Sequence, residues 1–436
     1  MHIAVIGTGY IGLVTGTCFA EFGVEVTCID VDESKIAKLN DGEIPIYEPG
    51  LEDMVQRNMK AGRLHFTTDV KAGVEKALVV FIGVGTPSRE DGTHDMKYAE
   101  QAARSIGEAM NGYKVIVMKS TVPVGTGVWL KGILSEYVSE DMFDIASNPE
   151  FLREGQAIGD SMRPDRVVIG TDSEQARAIL RDLYRPLYLI ETPIVFTNVA
   201  TSELIKYASN AFLSMKITFI NEMANICEKI GGDVHVVAKA MGLDGRIGPK
   251  FLRAGVGYGG SCFPKDNSAL VHMAEELGAP TKLVAATIEV NDKQMYRGFE
   301  KTKEALGGSV KGKVIGLLGL AFKPETDDFR AAPSEVIVNN IRKEGGTVQA
   351  FDPEGMAQAR ANLGDEGITY CDNPYDAIRG ADIMVVVTEW NVFRLLDLER
   401  VHGLLKNPII VDLRNIYEPA AVRGLGFKYD CVGRGI

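Results

Sequence analysis

Short, almost continuously apolar runs alternate with longer amphipathic stretches over the first half of the chain. The runs are His2–Ile6, Glu25–Ile29, Val79–Val84, Lys114–Lys119, Asp144–Ala146, Arg166–Ile169 and Ile194–Phe196. Such runs read as strands buried on both faces, the pattern of a parallel sheet covered by helices. The first intervening stretch, Tyr10–Phe22, predicts a helix closed by Gly23. At Ala200 the pattern changes. TSELIKYASNAFLSMKITFINEMANICEKIG holds no proline, starts on Thr-Ser before Glu203 and ends on a glycine pair. It predicts one helix of about 30 residues, roughly 45 Å long at the standard rise. That is too long for one strand–helix unit and suits a spine between domains. From Lys313 the alternation returns with KVIGLLGL, a helix over Ser334–Glu344, then VQAFDP, IMVVVTEW and PIIVDLR. In both halves a strand leads into a loop and helix, and a second strand ends in aspartate, Asp30 or Asp352. This echo predicts two related sheets joined by a helical middle.

At 436 residues the chain exceeds one ordinary domain, and two or three are expected. A net charge of −12 disfavours nucleic acid as a partner, because phosphate backbones need basic surfaces. Small anions stay possible through local cations and helix N-termini. No apolar run approaches the ~20 residues that span a bilayer, so no membrane partner is expected. MHIAVIG has neither the basic region nor the apolar core of a leader, and reads as a first strand. Cysteines 18, 28, 227, 262, 371 and 431 are scattered with no CxxC pair, and the six histidines form no HxxxH spacing. That pattern predicts no disulfide framework, no metal site and a reducing, cytoplasmic setting.

Gly7-Thr-Gly9-Tyr-Ile-Gly12 follows a strand, opens a helix and precedes an acidic residue, Asp30. In that context GxGxxG reads as a dinucleotide-binding turn and the half that carries it as Rossmann-like, the plainer alternative being a structural glycine turn without ligand. Gly7 permits the tight turn, Gly9 lets backbone approach pyrophosphate, and Gly12 lets helix and strand pack closely. Asp30 would accept from the ribose hydroxyls and repel a 2′-phosphate, which predicts NAD over NADP. Lys35 could lie over the adenosine end, or be a solvated surface lysine. The loops VGTP and STVPVGT end two strands at the edge where open α/β sheets bind ligands, making Thr86 and Thr121 candidates for cofactor or water contacts. Turn capping is the plainer use of both.

AGVGYGGSCFPKD sets Cys262 at the end of a glycine run, with Lys265 and Asp266 behind it. A nucleophilic cysteine needs a lowered pKa, which a nearby cation can supply, and Lys265 offers one. Asp266 could act as a base toward water. For Cys18, Cys28, Cys227, Cys371 and Cys431 the preferred reading is a small buried hydrophobe.

With IPIYEPGL, SNPEFLREG, ELIKYASNAFLSMKITFINE and GLAFKPETDDFR, these motifs make the chain resemble the UDP-glucose/GDP-mannose dehydrogenase family almost end to end. The resemblance implies two Rossmann-like domains, 1–199 for NAD and 301–436 for a UDP-sugar, around a central helical and dimerisation domain, 200–300, that carries the cysteine loop. It implies an NAD-dependent four-electron oxidation of a nucleotide sugar, alcohol to aldehyde to cysteine thioester to carboxylate. By the same resemblance Cys262 is the nucleophile, Lys206 and Asn210 stabilise charge on the C6 oxygen, and Glu150 exchanges protons. Glu154 and Thr121 approach cofactor and water, and Asp266 orients or activates water. The implied cofactor contacts are Gly7, Gly9, Tyr10, Ile11, Gly12, Asp30, Lys35, Thr86, Thr121, Glu154, Lys265 and Arg330. The implied sugar-nucleotide contacts are Glu150, Phe151, Leu152, Arg153, Glu154, Lys206, Asn210, Phe251, Leu252, Arg253, Gly255, Tyr258, Gly259 and Lys323, with Arg246 reaching over from the other subunit of a homodimer built on the central helix.

The overall likeness favours UDP-glucose, while GDP-mannose and UDP-N-acetylmannosamine share the same machinery. A two-electron dehydrogenase that does not use Cys262, and a nucleotide-binding dimer without turnover, are the competing readings.

Overall fold

The computed structural model describes residues 1–89 and 91–435. They form two compact units, Met1–Ser209 with His272–Ala279, and Asn210–Val271 with Pro280–Ile436. Each holds one sheet with helices on both faces.

In the first unit the strands are β1 (His2–Ile6), β2 (Glu25–Ile29), β3 (Leu64–Thr67), β4 (Val79–Ile82), β5 (Lys114–Met118), β6 (Phe143–Ser147), β7 (Val167–Gly170) and β8 (Ile194–Thr197). They lie in the order β3-β2-β1-β4-β5-β6-β7-β8. Seven of these match the runs read from sequence to within two residues at either end. The eighth, β3, escaped because LHFT alternates buried and exposed positions at the sheet edge and so lacks a continuous apolar run. The sheet is parallel except where β7 meets β6 antiparallel, at Ser147 and Gly170. Ile3 and Val5 point into one buried cluster, and Ala4 and Ile6 into another on the opposite face. Both faces are covered, which is why these strands show no polar alternation.

The helix after β1 runs Tyr10–Glu21, and Gly23 (φ +91°) follows it in the left-handed conformation. At the preceding turn Gly7 takes φ +96°, a region closed to most residues. A Cβ on Gly12 would lie 1.9 Å from the Gly7 carbonyl oxygen, so only glycine lets this helix approach β1.

The predicted spine is a single helix, Val199–Ile230, of 32 residues. Asn198 starts it by accepting from the Thr201 amide (2.8 Å), and Gly231 (φ +71°) ends it. The division between the units falls within it, after Ser209.

The second unit carries β9 (Val314–Leu318), β10 (Thr347–Phe351), β11 (Ile368–Tyr370), β12 (Ile383–Val386), β13 (Ile409–Asp412) and β14 (Lys428–Cys431). Their order is β11-β10-β9-β12-β13-β14, all parallel. Again both faces are buried, Ile315 and Leu317 on one side and Leu318 on the other. β11 and β14 are the edge strands, short and partly polar, and neither was legible as an apolar run.

Gly12→Ala forces Cβ against backbone, and overpacking of this kind costs about 1–3 kcal/mol. In a unit of this size that lowers its melting temperature by about 3–10 °C. Thermal unfolding checks this, and titration with NAD is expected to show binding lost along with it.

Candidate active site

In the first unit the loops at the carboxyl ends of β1, β2, β4, β5 and β6 hold the predicted cofactor residues other than Lys265 and Arg330, which lie in the second unit, and part of the predicted substrate residues. A Cβ on Gly9 would meet nothing within 4 Å, so the turn leaves open space above it, as pyrophosphate would need. Asp30, at the end of β2, accepts from the Thr8 amide and hydroxyl, both at 2.8 Å, and from Lys35 Nζ at 3.3 Å. Burial works to raise its pKa, but these bonds and the Asp32 amide outweigh it and hold the carboxyl below its ordinary value. Oδ1 takes one bond, from the Asp32 amide at 3.1 Å, and keeps capacity for a ligand hydroxyl. These residues fit the adenosine and pyrophosphate of NAD. Lys35 is thus a partner of Asp30 rather than a solvated lysine. The Thr86 hydroxyl donates to the Thr121 carbonyl at 2.8 Å, tying the two loops together.

A buried polar cluster surrounds Glu150. Its Oε1 accepts from Lys206 Nζ at 2.9 Å, both side chains being 4% exposed. Oε2 accepts from the Leu152 amide at 2.5 Å. The Phe151 ring has two cations within cation–π range, Arg166 at 3.5 Å and Lys206 at 5.5 Å from its centre. Arg153 is exposed and paired with Asp160 at 2.6 Å, and Glu154 is half-buried.

Sequence reasoning missed Lys119 here, although it ends a strand directly before STVPVGT. It is buried, with Nζ 3.0 Å from Asn148 Oδ1 and 3.4 Å from the Tyr184 hydroxyl. Tyr184 also donates to Asn148 Oδ1 at 2.5 Å. Burial drives the Lys119 pKa down to about 8; the negative charge of Glu150 resists this and the positive charge of Lys206 adds to it. His94 and Tyr207 were missed as well. The His94 ring bridges the Thr86 carbonyl (3.1 Å) and the Tyr207 hydroxyl (2.8 Å), so the VGTP loop is held to the residue after Lys206. A single histidine in a loop without ligand spacing gives no signal in sequence.

The second unit contains the cysteine loop. Cys262 is exposed and directly precedes the helix Phe263–Glu276, and its carbonyl accepts the Asp266 amide at 2.8 Å. The sulfur therefore sits at a helix N-terminus, whose partial positive charge favours an anion. The expected cation, Lys265, is instead engaged by Asp266 at 2.6 Å. Asp266 is 1% exposed and its other oxygen accepts from Asn210 Nδ2 at 2.6 Å.

The backbone of the glycine run is pinned from the side. Asn221 accepts the Gly255 amide and Asn291 the Tyr258 amide, each at 2.8 Å. The Tyr258 hydroxyl accepts from Asn267 at 3.0 Å, and burial pushes its pKa up to about 12. Gly260 donates to the Arg330 carbonyl at 2.9 Å. Phe251 holds φ +65°, Leu252 is buried and Arg253 exposed. Gly259 is buried, and Lys323 is half-buried with Nζ 5.4 Å from the Phe322 ring centre. Arg330 is paired with Asp328 (2.7 Å), and Arg246, 90% exposed, with Asp244 (2.6 Å).

Of the five cysteines read as buried hydrophobes, Cys18, Cys28, Cys227 and Cys431 are buried, but Cys371 is only half so. It directly follows the edge strand β11, which has a neighbouring strand on one side only. Among the described residues no helix is long and apolar enough to cross a membrane, and no three His, Cys, Asp or Glu groups are disposed to hold a metal ion.

Residues 1–188, 200–293 and 316–419 match the NAD-binding, central and UDP-binding domains of the UDP-glucose/GDP-mannose dehydrogenase family. The chain is 52% identical to a UDP-glucose 6-dehydrogenase of Rhizobium meliloti (strain 1021), over 100% of both chains. It is 48% identical to one of Bacillus subtilis (strain 168), over 99% of this chain and 93% of that one. A solved UDP-glucose dehydrogenase from Pyrobaculum islandicum superposes with a TM-score of 0.91 at 37% identity, over 98% of this chain and 96% of that one.

Lys119 gives a pH test. Below pH 8 the lysine is protonated whether the chain is folded or not. Between pH 8 and 10.5 only the unfolded chain binds that proton, so folding stability rises with pH. The gain over that window is expected to reach about 3 kcal/mol, and Lys119→Met is expected to remove it. Urea unfolding of both proteins across the window measures the difference.

Proposed function

This chain belongs to the UDP-glucose/GDP-mannose dehydrogenase family, and from that premise we propose that it oxidises UDP-glucose to UDP-glucuronate using two NAD per sugar. The observation that carries the reading is the exposed sulfur of Cys262 at a helix N-terminus, with Asp266 held by Lys265 and Asn210 behind it. A two-electron dehydrogenase needs no such nucleophile.

One UDP-glucose, two NAD⁺ and one water become UDP-glucuronate, two NADH and three protons. When bound, NAD accepts a hydride in each oxidation. Lys206 and Asn210 stabilise negative charge on the C6 oxygen as its proton leaves, a contribution strongest in a dry site. The paired carboxylate of Glu150 takes protons from and returns them to this oxygen and its water. Thr121 and Glu154 position water and cofactor. Cys262 attacks the aldehyde carbon, a C–S bond forming as the C=O π bond opens, and the sulfur's proton goes to the C6 oxygen, which becomes a hydroxyl. The second oxidation turns that carbon into a thioester. Water oriented by Asp266 then adds, and the C–S bond breaks to release the acid and the thiol.

The cofactor rests on Gly7, Gly9, Tyr10, Ile11, Gly12, Asp30, Lys35 and Thr86, with Lys265 and Arg330 also contributing. The nucleotide sugar is held by Glu150–Glu154, Phe251–Arg253, Gly255, Tyr258, Gly259 and Lys323. The working division is 1–199 for NAD, 200–300 for the centre and 301–436 for the UDP-sugar. Thiols at Cys18, Cys28, Cys227, Cys371 and Cys431 support a cytoplasmic setting.

The protein acts as a homodimer through its long helix, with Arg246 reaching the partner's substrate. The support is an apolar stripe of exposed Phe212, Phe219, Ile226 and Ile230, spaced to fall on one helix face.

Two measurements test these readings. Purified protein given UDP-glucose and NAD is expected to form two NADH per sugar consumed, and Cys262→Ser is expected to stop steady turnover. A ratio of one, or a serine variant turning over normally, overturns the thioester route. A Phe212→Asp, Phe219→Asp double variant is expected to sediment as a monomer; a dimer would place the interface elsewhere.

A further inference from the structure

Glu48 belongs to IPIYEPGL, and no role described above uses it. Its carboxylate is buried, with the residue 6% exposed. Oε2 accepts from the Tyr10 hydroxyl and from the Gly155 amide (2.7 Å), and Oε1 from the Ala157 amide (2.7 Å). Among the described residues no lysine or arginine forms an ion pair with it. A buried carboxyl group with no lysine or arginine paired to it needs donors for its oxygens, and these three supply them.

The donors come from two separate pieces of the first unit. Tyr10 is the fourth residue of the GTGYIG turn and the first of the helix that follows. Gly155 and Ala157 directly follow the Glu150–Glu154 segment. Burial, then the bond to Glu48, raises the Tyr10 pKa far above its ordinary value, so the hydroxyl remains a donor at any working pH. A shift of Tyr10 therefore leaves Glu48 short of a donor unless the two amides move with it.

We propose that Glu48 is a positioning residue that ties segment 150–157 to the cofactor turn, so that NAD on the turn strengthens binding of the nucleotide sugar by pre-ordering that segment. This rests on the function proposed above. A cofactor that fixes Tyr10 fixes Glu48, and through it the two amides. The sugar then meets a segment whose ordering cost has already been met.

Tyr10→Phe deletes one hydroxyl and keeps the ring, and Glu48→Gln replaces one acceptor oxygen by a donor. In the ligand-free full chain, amide exchange at Gly155 and Ala157 is expected to quicken at least about tenfold in both variants. Unchanged exchange in Tyr10→Phe overturns the tie. In turnover, Tyr10→Phe is expected to raise the KM for UDP-glucose about tenfold with kcat changed less than about threefold, and the double variant to be no worse than Glu48→Gln alone. A rise in the KM for NAD with none for UDP-glucose, or additive effects, overturns the coupling. Should Glu48→Gln fail to fold, Tyr10→Phe decides by itself. A wild-type protein that does not oxidise UDP-glucose sinks the function proposed above, while the exchange measurement still decides the tie.

Discussion

Loops at the carboxyl edge of a parallel sheet carry backbone N–H groups that no strand accepts, and here buried or half-buried carboxylates take them. Asp30 accepts the Thr8 amide, and Glu203 those of Gly125 and Gly127 at 2.7 and 2.9 Å. In the other unit Asp352 accepts from Leu320, Ala321, Glu354 and Gly355, and Asp412 from Arg414 and Tyr417. Inside a protein such bonds are strong and a missing one is expensive. Burial raises the pKa of Glu203 and Asp412 even against these donors. Loops that elsewhere would be mobile are thereby fixed, and the proposed chemistry is built on them.

The same device has two outcomes in the two units. Asp30 and Asp352 both follow the second strand of a sheet and both bind the turn after the first. Asp352 is 1% exposed and also accepts Trp390 Nε1 at 3.1 Å, so its oxygens are spent on the protein itself. Asp30 keeps part of one oxygen for a ligand. The motif is alike in sequence; a second nearby amide, from Gly355, and the distant Trp390 ring fill the Asp352 oxygens, where Asp30 Oδ1 has a single amide.

That contrast marks how far the sequence was legible. Central strands and the long helix follow from local pattern, because burial on both faces and a proline-free run leave direct traces. Edge strands β3, β11 and β14 do not, since one side of each lacks a neighbour and polar residues are tolerated there. In the candidate site the glycine turn, Asp30 and Cys262 stood out by motif. Lys119, His94, Tyr207 and Glu48 did not, because each draws its meaning from partners eight to more than a hundred residues away. Lys265 was legible as a cation near the sulfur, but its ion pair with Asp266 and the helix start beside Cys262 were not.

The contrast among the cysteines has a practical side. Burial lifts the thiols of Cys18, Cys28 and Cys431 to about 12 and raises those of Cys227 and Cys371 less far, whereas Cys262 is exposed at a helix start. Alkylating reagents act on accessible thiolates. A slight excess of such a reagent at neutral pH is therefore expected to mark Cys262 first, and the amount consumed in that first phase to count the chains whose Cys262 is accessible.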